Sequence, residues 1–84
     1  MEMPTMEMLI KLTKVKELRG VGNSYIYNAI SEGTFPTPVK LGRASLWIYR
    51  EVAEMNAAAI QELSKEETRA LVSRLLEERK KGAK

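Results

Sequence analysis

The chain has 84 residues, of which 44% are apolar and 30% charged, and it contains neither cysteine nor histidine. This composition predicts one globular domain and excludes disulfides, thiolate metal sites and histidine-dependent catalysis. The net charge is +3, but residues 11–50 carry seven bases against two acids, whereas charges cancel from Glu51 onward, and such a localised basic field favours a polyanionic partner.

Residues 1–10 are expected to form an N-terminal tail that ends in a short extended piece. Acidic residues lie where a secretory signal would be basic. No apolar run approaches the roughly 20 residues needed to cross a bilayer. We therefore expect a cytoplasmic protein without a membrane partner.

Two short helices joined by a glycine-containing turn are predicted next, in the outline of a helix-turn-helix. The first begins at a candidate N-cap, Thr13, and ends at Gly20, while the second begins near Gly22 or Asn23 and ends at Gly33. Apolar residues at helical spacing form their inner faces: Val15 and Leu18 in the first helix, and Ile26, Ala29 and Ile30 in the second.

The stretch FPTPVKLGRASLW, residues 35–47, predicts a β-hairpin. Its two prolines exclude a helix, and the apolar residues on both sides of Lys40 have the period of a strand. Residues 42–45 are the predicted turn, and residues 46–48 the returning strand. Because an isolated hairpin is marginally stable, we expect it to pack on the helices through Phe35, Val39 and Trp47.

Two further helices are predicted toward the C-terminus. The third begins between Tyr49 and Glu51, with acidic residues in its first turn, and the sequence SKEE at residues 64–67 is a capping box that opens the fourth. The inward stripe of the third helix is predicted to be Val52, Met55, Ala59 and Leu63. The fourth helix has a narrow apolar stripe of Leu71, Leu75 and Leu76, widened by Val72, which is either intrachain packing or a dimer seam.

Two surfaces are candidates for contact with nucleic acid. The first is the outer face of the second helix, with the polar and aromatic residues Asn23, Ser24, Tyr25, Tyr27 and Asn28. Their side chains could contact base edges or phosphates, or they could be ordinary exposed residues with Tyr27 partly packed. Lys40 and Arg43, near the hairpin tip, could bind phosphate or could only protect an edge strand from pairing. Trp47 could stack on bases or belong to the core.

Enzymatic activity is not expected. The acidic residues mostly occupy predicted solvent faces at salt-bridge spacing, and the glycine-containing turn GVGN at residues 20–23 lacks the lysine or the third glycine of nucleotide-binding loops. We therefore predict no catalytic residue, no metal, no cofactor and no small-molecule substrate.

The run from Leu12 to Met55 resembles the AlpA-like phage regulators, which are relatives of excisionase and MerR-type winged-helix DNA-binding domains. The resemblance covers roughly residues 10–60 and depends on an ordered set of residues with its spacing: Gly20, Ser24, Ile26-Tyr27, Ile30, Glu32-Gly33, Phe35-Pro36, Pro38–Gly42, Arg43, Trp47 and Glu51-Val52.

The resemblance implies an α+β winged helix-turn-helix that binds specific sequences of duplex DNA, as a transcriptional regulator or excisionase of a phage or integrated element. The second helix would enter the major groove, and the hairpin would be the wing. By motif position, Ser24, Tyr25, Tyr27 and Asn28 would be the helix contacts, and Lys40, Arg43 and Ser45 the wing contacts.

The predicted organisation is a tail at residues 1–10, a DNA-binding domain at residues 11–63 and a C-terminal helix at residues 64–84. Since one such module contacts few bases, we expect several molecules side by side on DNA or a dimer through the last helix. The alternative function is a protein-interaction module, in which the last helix docks a recombinase or a transcription component.

Overall fold

A computed structural model of the chain describes residues 7–82. Within that range it contains, in chain order, β1 (Leu9–Lys11), α1 (Leu12–Arg19), α2 (Asn23–Glu32), β2 (Val39–Leu41), β3 (Ala44–Ile48), α3 (Tyr49–Ile60) and α4 (Lys65–Gly82). The three strands form an antiparallel sheet in the order β1-β3-β2. The predicted α+β winged helix-turn-helix is therefore confirmed, with one strand more than the hairpin alone. None of the helices in residues 7–82 combines the length and apolar character needed to cross a membrane.

Glycine ends both helices of the helix-turn-helix, as predicted. Gly20 and Gly33 follow α1 and α2 with φ values of +71° and +82°, in the left-handed region. The N–H of Gly33 donates to the carbonyl of Ile30 at 3.1 Å, and the N–H of Thr34 donates to that of Ala29 at 2.9 Å. This pair of bonds is the Schellman motif, which satisfies the last carbonyls of α2 and turns the chain toward β2.

Strand β1 joins the sheet beside β3, with Ile10 opposite Trp47. The last residues of the predicted tail therefore lie in the sheet. Because β1 runs directly into α1, Lys11 takes the N-cap position, without a side-chain cap. The prediction that Thr13 is the N-cap is wrong, since no loop separates strand from helix at that point.

The hairpin turn is shorter than predicted. Lys40 lies opposite Ser45 and Leu41 opposite Ala44, so only Gly42 and Arg43 form the turn. Gly42 has a φ of +62°, and two-residue turns that match the twist of their strands need a positive φ at the first turn residue. The predicted turn over residues 42–45 is wrong in its second half, because that half belongs to β3.

The hydrophobic core lies between one face of the sheet and the helices. Trp47 and Phe35 are each 1% exposed, and the indole Nε1 of Trp47 donates to the carbonyl of Pro36 at 3.2 Å. Trp47 is thus a core residue, which excludes base stacking. Val39 was expected to pack on the helices, but it lies opposite Leu46, on the face of the sheet away from Trp47, and is only partly buried.

The capping box of α4 is confirmed. The Ser64 hydroxyl accepts from the N–H of Glu67 at 3.0 Å, and the Glu67 carboxylate accepts from the N–H of Ser64 at 2.9 Å. Of the stripe on α4, Leu75 is fully buried and Val72 is 5% exposed, in the same core as Trp47. The stripe is therefore used for intrachain packing.

The inward face of α3 differs from the prediction at one position. Val52 and Met55 are buried as predicted, but Ala58 is buried and Ala59 is exposed, while Leu63 lies beyond the end of the helix. The reason is that α4 packs along the Ala58 side of α3, an arrangement that the apolar spacing of α3 alone does not specify.

A buried ion pair connects the end of α4 to the start of α3. The Glu51 side chain is 1% exposed and accepts from Arg79 Nη2 at 2.6 Å and from Arg79 Nε at 2.9 Å. The same Nη2 donates to the carbonyl of Thr37, at 2.8 Å, just before β2. Removing Arg79 would leave the Glu51 carboxylate buried alone, at a cost of about 3–5 kcal/mol, and the arginine connects the end of α4 to α3 and to the chain before β2.

Candidate nucleic-acid interface

Helix α2 presents a polar, uncharged surface to solvent. Its inner residues Ile26 and Ala29 are buried. Because successive helix residues are rotated by about 100°, the side of α2 away from them consists of Ser24, Tyr27, Asn28 and Ser31, all exposed. These four residues are called the reading face below. Hydroxyl and amide groups of this kind can bond base edges or phosphate oxygens.

The N-terminus of α2 adds backbone donors beside this face. Gly22 is the N-cap and has no side chain that could cap the helix. The helical bonds begin with the N–H of Ile26, which donates to the carbonyl of Gly22 at 3.3 Å. The N–H groups of Asn23, Ser24 and Tyr25 therefore precede the first helical bond and point out of the helix end. Such donors favour a phosphate group at this position.

The wing, strands β2 and β3 with their turn, supplies the positive charge. Lys40 and Arg43 are exposed, the latter within the two-residue turn at the tip. The ammonium of Lys40 donates to the hydroxyl of Ser45 across the hairpin at 2.7 Å. Ser45 thus holds the Lys40 side chain over one face of the wing, which is the physical role that the structure gives it.

The wing and the reading face meet through two aromatic rings. The ring of Tyr27 packs edge-on against that of Trp47, with 6.5 Å between centroids and 68° between planes. Side chains two apart on a strand share a face, and so do directly paired residues. Ser45 and Lys40 therefore lie on the same sheet face as Trp47, and a row of side chains runs from Tyr27 along that face toward the wing tip.

Tyr25 lies apart from this row. At helical spacing it is about 160° around α2 from Tyr27, and it borders an open groove of about 520 Å³ that Asn28 and Arg19 also line. Of the predicted helix contacts, the structure thus brings Tyr27 to the wing, places Ser24 and Asn28 on the outward side, and turns Tyr25 toward the groove beside α4.

Arg19 and Lys65 are the basic residues that line that groove, and Arg19 is engaged by the protein. Its guanidinium lies 5.3 Å from the centre of the Phe35 ring, and Nη1 donates to Asn56 at 2.9 Å, while Nε is buried without a partner within residues 7–82. Burial lowers the pKa of Arg19 from its ordinary value, and Tyr25 opposes that shift. Arg19 therefore connects α1 to α3 and the core.

Ser31 belongs to the reading face but was not among the predicted contacts. It lies three residues after Asn28 and seven after Ser24, so helical spacing alone would have identified it. The only charged side chain of α2 is Glu32 at its far end, and Lys65 pairs with this carboxylate at 3.5 Å. The negative charge of α2 is thereby offset away from the wing.

A helix-turn-helix whose second helix packs beside a basic β-hairpin defines the winged helix-turn-helix class. A family model described as the prophage CP4-57 regulatory protein (AlpA) matches residues 8–58. That range covers more than half of the chain, from just before β1 into α3, and the chain therefore belongs to the AlpA family. This is a family of phage regulatory DNA-binding proteins rather than of enzymes. No curated protein and no solved structure matches the chain.

Proposed function

We propose that this protein binds specific sequences of duplex DNA, with α2 in the major groove and the wing on the neighbouring sugar-phosphate backbone. The observation that carries the proposal is the contact of Tyr27 with Trp47, because Lys40 and Ser45 share the sheet face of Trp47. The reading face and the basic wing can then contact one duplex together.

The roles proposed for the two surfaces differ. Ser24, Asn28 and Ser31 offer hydrogen-bonding groups to base edges, with Asn23 and the N–H groups at the start of α2 toward a phosphate. Lys40 and Arg43 neutralise phosphates, with Lys40 oriented by Ser45. We assign Tyr25 no direct contact, because it lies about 160° around α2 from Tyr27, on the other side of the helix from the wing.

The regulatory role is either transcriptional control or excision in a phage or integrated element. An excisionase bends its site, whereas a regulator of transcription need not. A gel-shift series with the site moved along a fragment of constant length tests the excisionase role, because a bent complex migrates most slowly when the site is central, and an unbent complex would exclude that role. The stoichiometry of the same complexes decides whether copies bind side by side or as a dimer.

The alternative is docking of a recombinase or transcription component through the C-terminal helix, and an apolar docking face there would need a stripe that is free to bind. Leu75 and Val72 of that stripe are covered by the protein's own core. What remains exposed on α4 is largely charged, so we favour DNA binding as the primary function.

The test is an anisotropy titration of labelled duplexes, drawn from DNA beside the protein's own gene and from random sequence, between 50 and 200 mM salt. The wild type is expected to bind a subset of duplexes, with affinity that falls steeply as salt rises. Substituting Lys40→Ala with Arg43→Ala should weaken binding on all sequences alike and reduce the salt slope by up to about 1.8.

The matched control removes two positive charges from α4, Arg74→Ala with Lys80→Ala, whose side chains are 54% and 77% exposed and lie outside the proposed interface. This variant should keep most of the salt slope. The proposed function would be contradicted if the wild type did not bind at micromolar protein, or if its affinity did not change with salt.

A further inference from the structure

The connection between α2 and β2, residues 33–38, determines where the wing lies relative to the reading face. It has no helix or strand of its own. Two of its six residues are prolines, which have no N–H to donate, fix their own φ and hold the preceding Phe35 and Thr37 extended. These restraints set the local shape of the backbone, whereas the position of the connection on the domain depends on contacts from other parts of the chain.

Two arginines of α4 bond the main chain at the two ends of this connection. Arg69 Nε donates to the carbonyl of Glu32, the last residue of α2, at 2.9 Å, and its side chain lies beside Gly33. Ten residues further along α4, Arg79 donates to the carbonyl of Thr37 at 2.8 Å. Arg69 and Arg79 are called the strap arginines below.

A further main-chain carbonyl, that of Pro36 within the connection, is bonded to the core. The carbonyl of Pro36 accepts from the indole of Trp47, whose ring also contacts Tyr27 of the reading face. Trp47 is the only tryptophan of the chain. One indole proton is thus bonded at the junction of the connection, the wing and α2.

We propose that the strap arginines are positioning residues for DNA binding. They hold the carbonyls at both ends of the connection and so fix the orientation of the wing relative to the reading face. The effect on DNA affinity rests on the proposed function, whereas the orientation is a property of the free protein. Helix α4 lies beyond residues 8–58, so the strap arginines lie outside the part of the chain that the family model matches.

The test uses Arg69→Met and Arg79→Lys, alone and together. Arg69 is exposed, so its loss should leave the fold intact, and Arg79→Lys keeps a positive charge for Glu51 while removing the planar fork. The matched control is Arg74→Met on the same helix, because Arg74 bonds Glu54 and Glu78 instead of the connection. If Arg79→Lys lowers the melting temperature strongly, Arg69→Met carries the test.

The first measurement is made on the free protein by NMR. The indole N–H resonance of Trp47 and the cross-relaxation between the Tyr27 and Trp47 rings should change in Arg69→Met and more in the double variant. Both should stay as in the wild type in Arg74→Met. An unchanged indole resonance in the strap variants would overturn the inference, whether or not the protein binds DNA.

The second measurement is a double-mutant cycle on DNA. In the wild type and in Arg74→Met, Lys40→Ala with Arg43→Ala should cause the same loss of affinity. In the strap background the same substitutions should cause a loss smaller by on the order of three- to tenfold, because the wing is already misaligned. Equal losses in all three backgrounds would refute the positioning role in DNA binding. Failure of the wild type to bind any duplex would defeat the proposed function, and the indole measurement alone would then decide the orientation.

Discussion

In the proposed function, the reading face and the wing contact DNA through different chemical groups. The reading face has hydroxyl, amide and phenol groups and no basic residue, whereas the wing has Lys40 and Arg43 on a turn of two residues and the strand before it. Hydrogen-bonding groups on a helix can distinguish bases, and point charges attract phosphates of any sequence. Selectivity and salt-dependent affinity should therefore be separable in this protein by substituting residues of one surface at a time.

The two regions also differ in how they are held. The reading face lies on a helix of ten residues that is closed by a Schellman motif at Gly33 and buries Ile26 completely. The wing consists of two short strands and their turn. Leu41 and the turn are exposed, and the main buried residue of the wing is Trp47. Within the core, the wing thus depends mainly on one residue for its place beside the helix, whereas the strap arginines proposed above act on the connection that precedes it.

The largest expected effect comes from removing the side chain of Trp47. Trp47→Ala should lower the free energy of unfolding by about 3–5 kcal/mol, because it leaves a large cavity and an unbonded carbonyl at Pro36. Since Tyr27 rests on the same ring, wing and helix should be lost together in one urea transition. Leu41→Ala, at a wing residue that is 61% exposed, is the control and should change stability by less than about 0.5 kcal/mol. Separate transitions for the two regions would break the idea of a shared core.

A smaller effect should distinguish the two surfaces by selectivity. Asn28→Ala should cost about 1–3 kcal/mol on the preferred duplex and much less on random duplex, because an amide that reads a base is lost. Selection from a randomised duplex pool before and after the substitution measures this change. Ser73→Ala, at an exposed position on α4, should leave the preference unchanged. An equal loss on all duplexes would mean that Asn28 contacts backbone rather than bases.

The smallest expected effect is confined to the wing turn. Gly42→Ala adds a side chain into open space, but at a φ of +62°, and a left-handed residue with a Cβ costs roughly 1–2 kcal/mol. Gly42→Asn should cost less, because asparagine tolerates positive φ better. Amide exchange should then accelerate in β2 and at the turn while α2 keeps its protection. Equal acceleration in α2 would show that strain at the turn is transmitted to the helix instead of staying local to the wing.

The parts of the fold that were predicted correctly depend on residues with strong local preferences. Gly20 and Gly33 end helices because glycine adopts positive φ readily. The prolines before β2 exclude helix, and Ser64 with Glu67 forms a capping box whose bonds span three residues. In each case the signal and the structure it produces lie within a few positions of each other.

The parts that were missed depend on distant neighbours. The short extended piece at the end of the tail was expected, but its pairing as strand β1 was not, because its partner β3 follows more than thirty residues later. Val39 has the correct strand period but was expected on the wrong face, because alternation gives two faces and only the packed sheet decides which one is inside. The burial of Ala58 instead of Ala59 similarly depends on where α4 returns.

The candidate interface shows the same division. Helical spacing identified the exposed residues of α2 and would have identified Ser31. It could not distinguish Tyr27 from Tyr25, since both are tyrosines at exposed positions of α2. The position of Trp47 separates them, because only Tyr27 is on the side of α2 that meets the sheet.

The sequence by itself determined where α1 and α2 end, that a hairpin follows them and which α2 residues face outward, because these depend on φ preferences and on a fixed rotation per residue. Only the tertiary structure decided that Arg79 pairs with the buried Glu51, 28 positions away, and that Arg69 bonds Glu32, 37 positions away. Charge and burial make such bonds favourable, but many other partners would satisfy the same groups. The packing of α4 against α3 and the α2–β2 connection selects one of them.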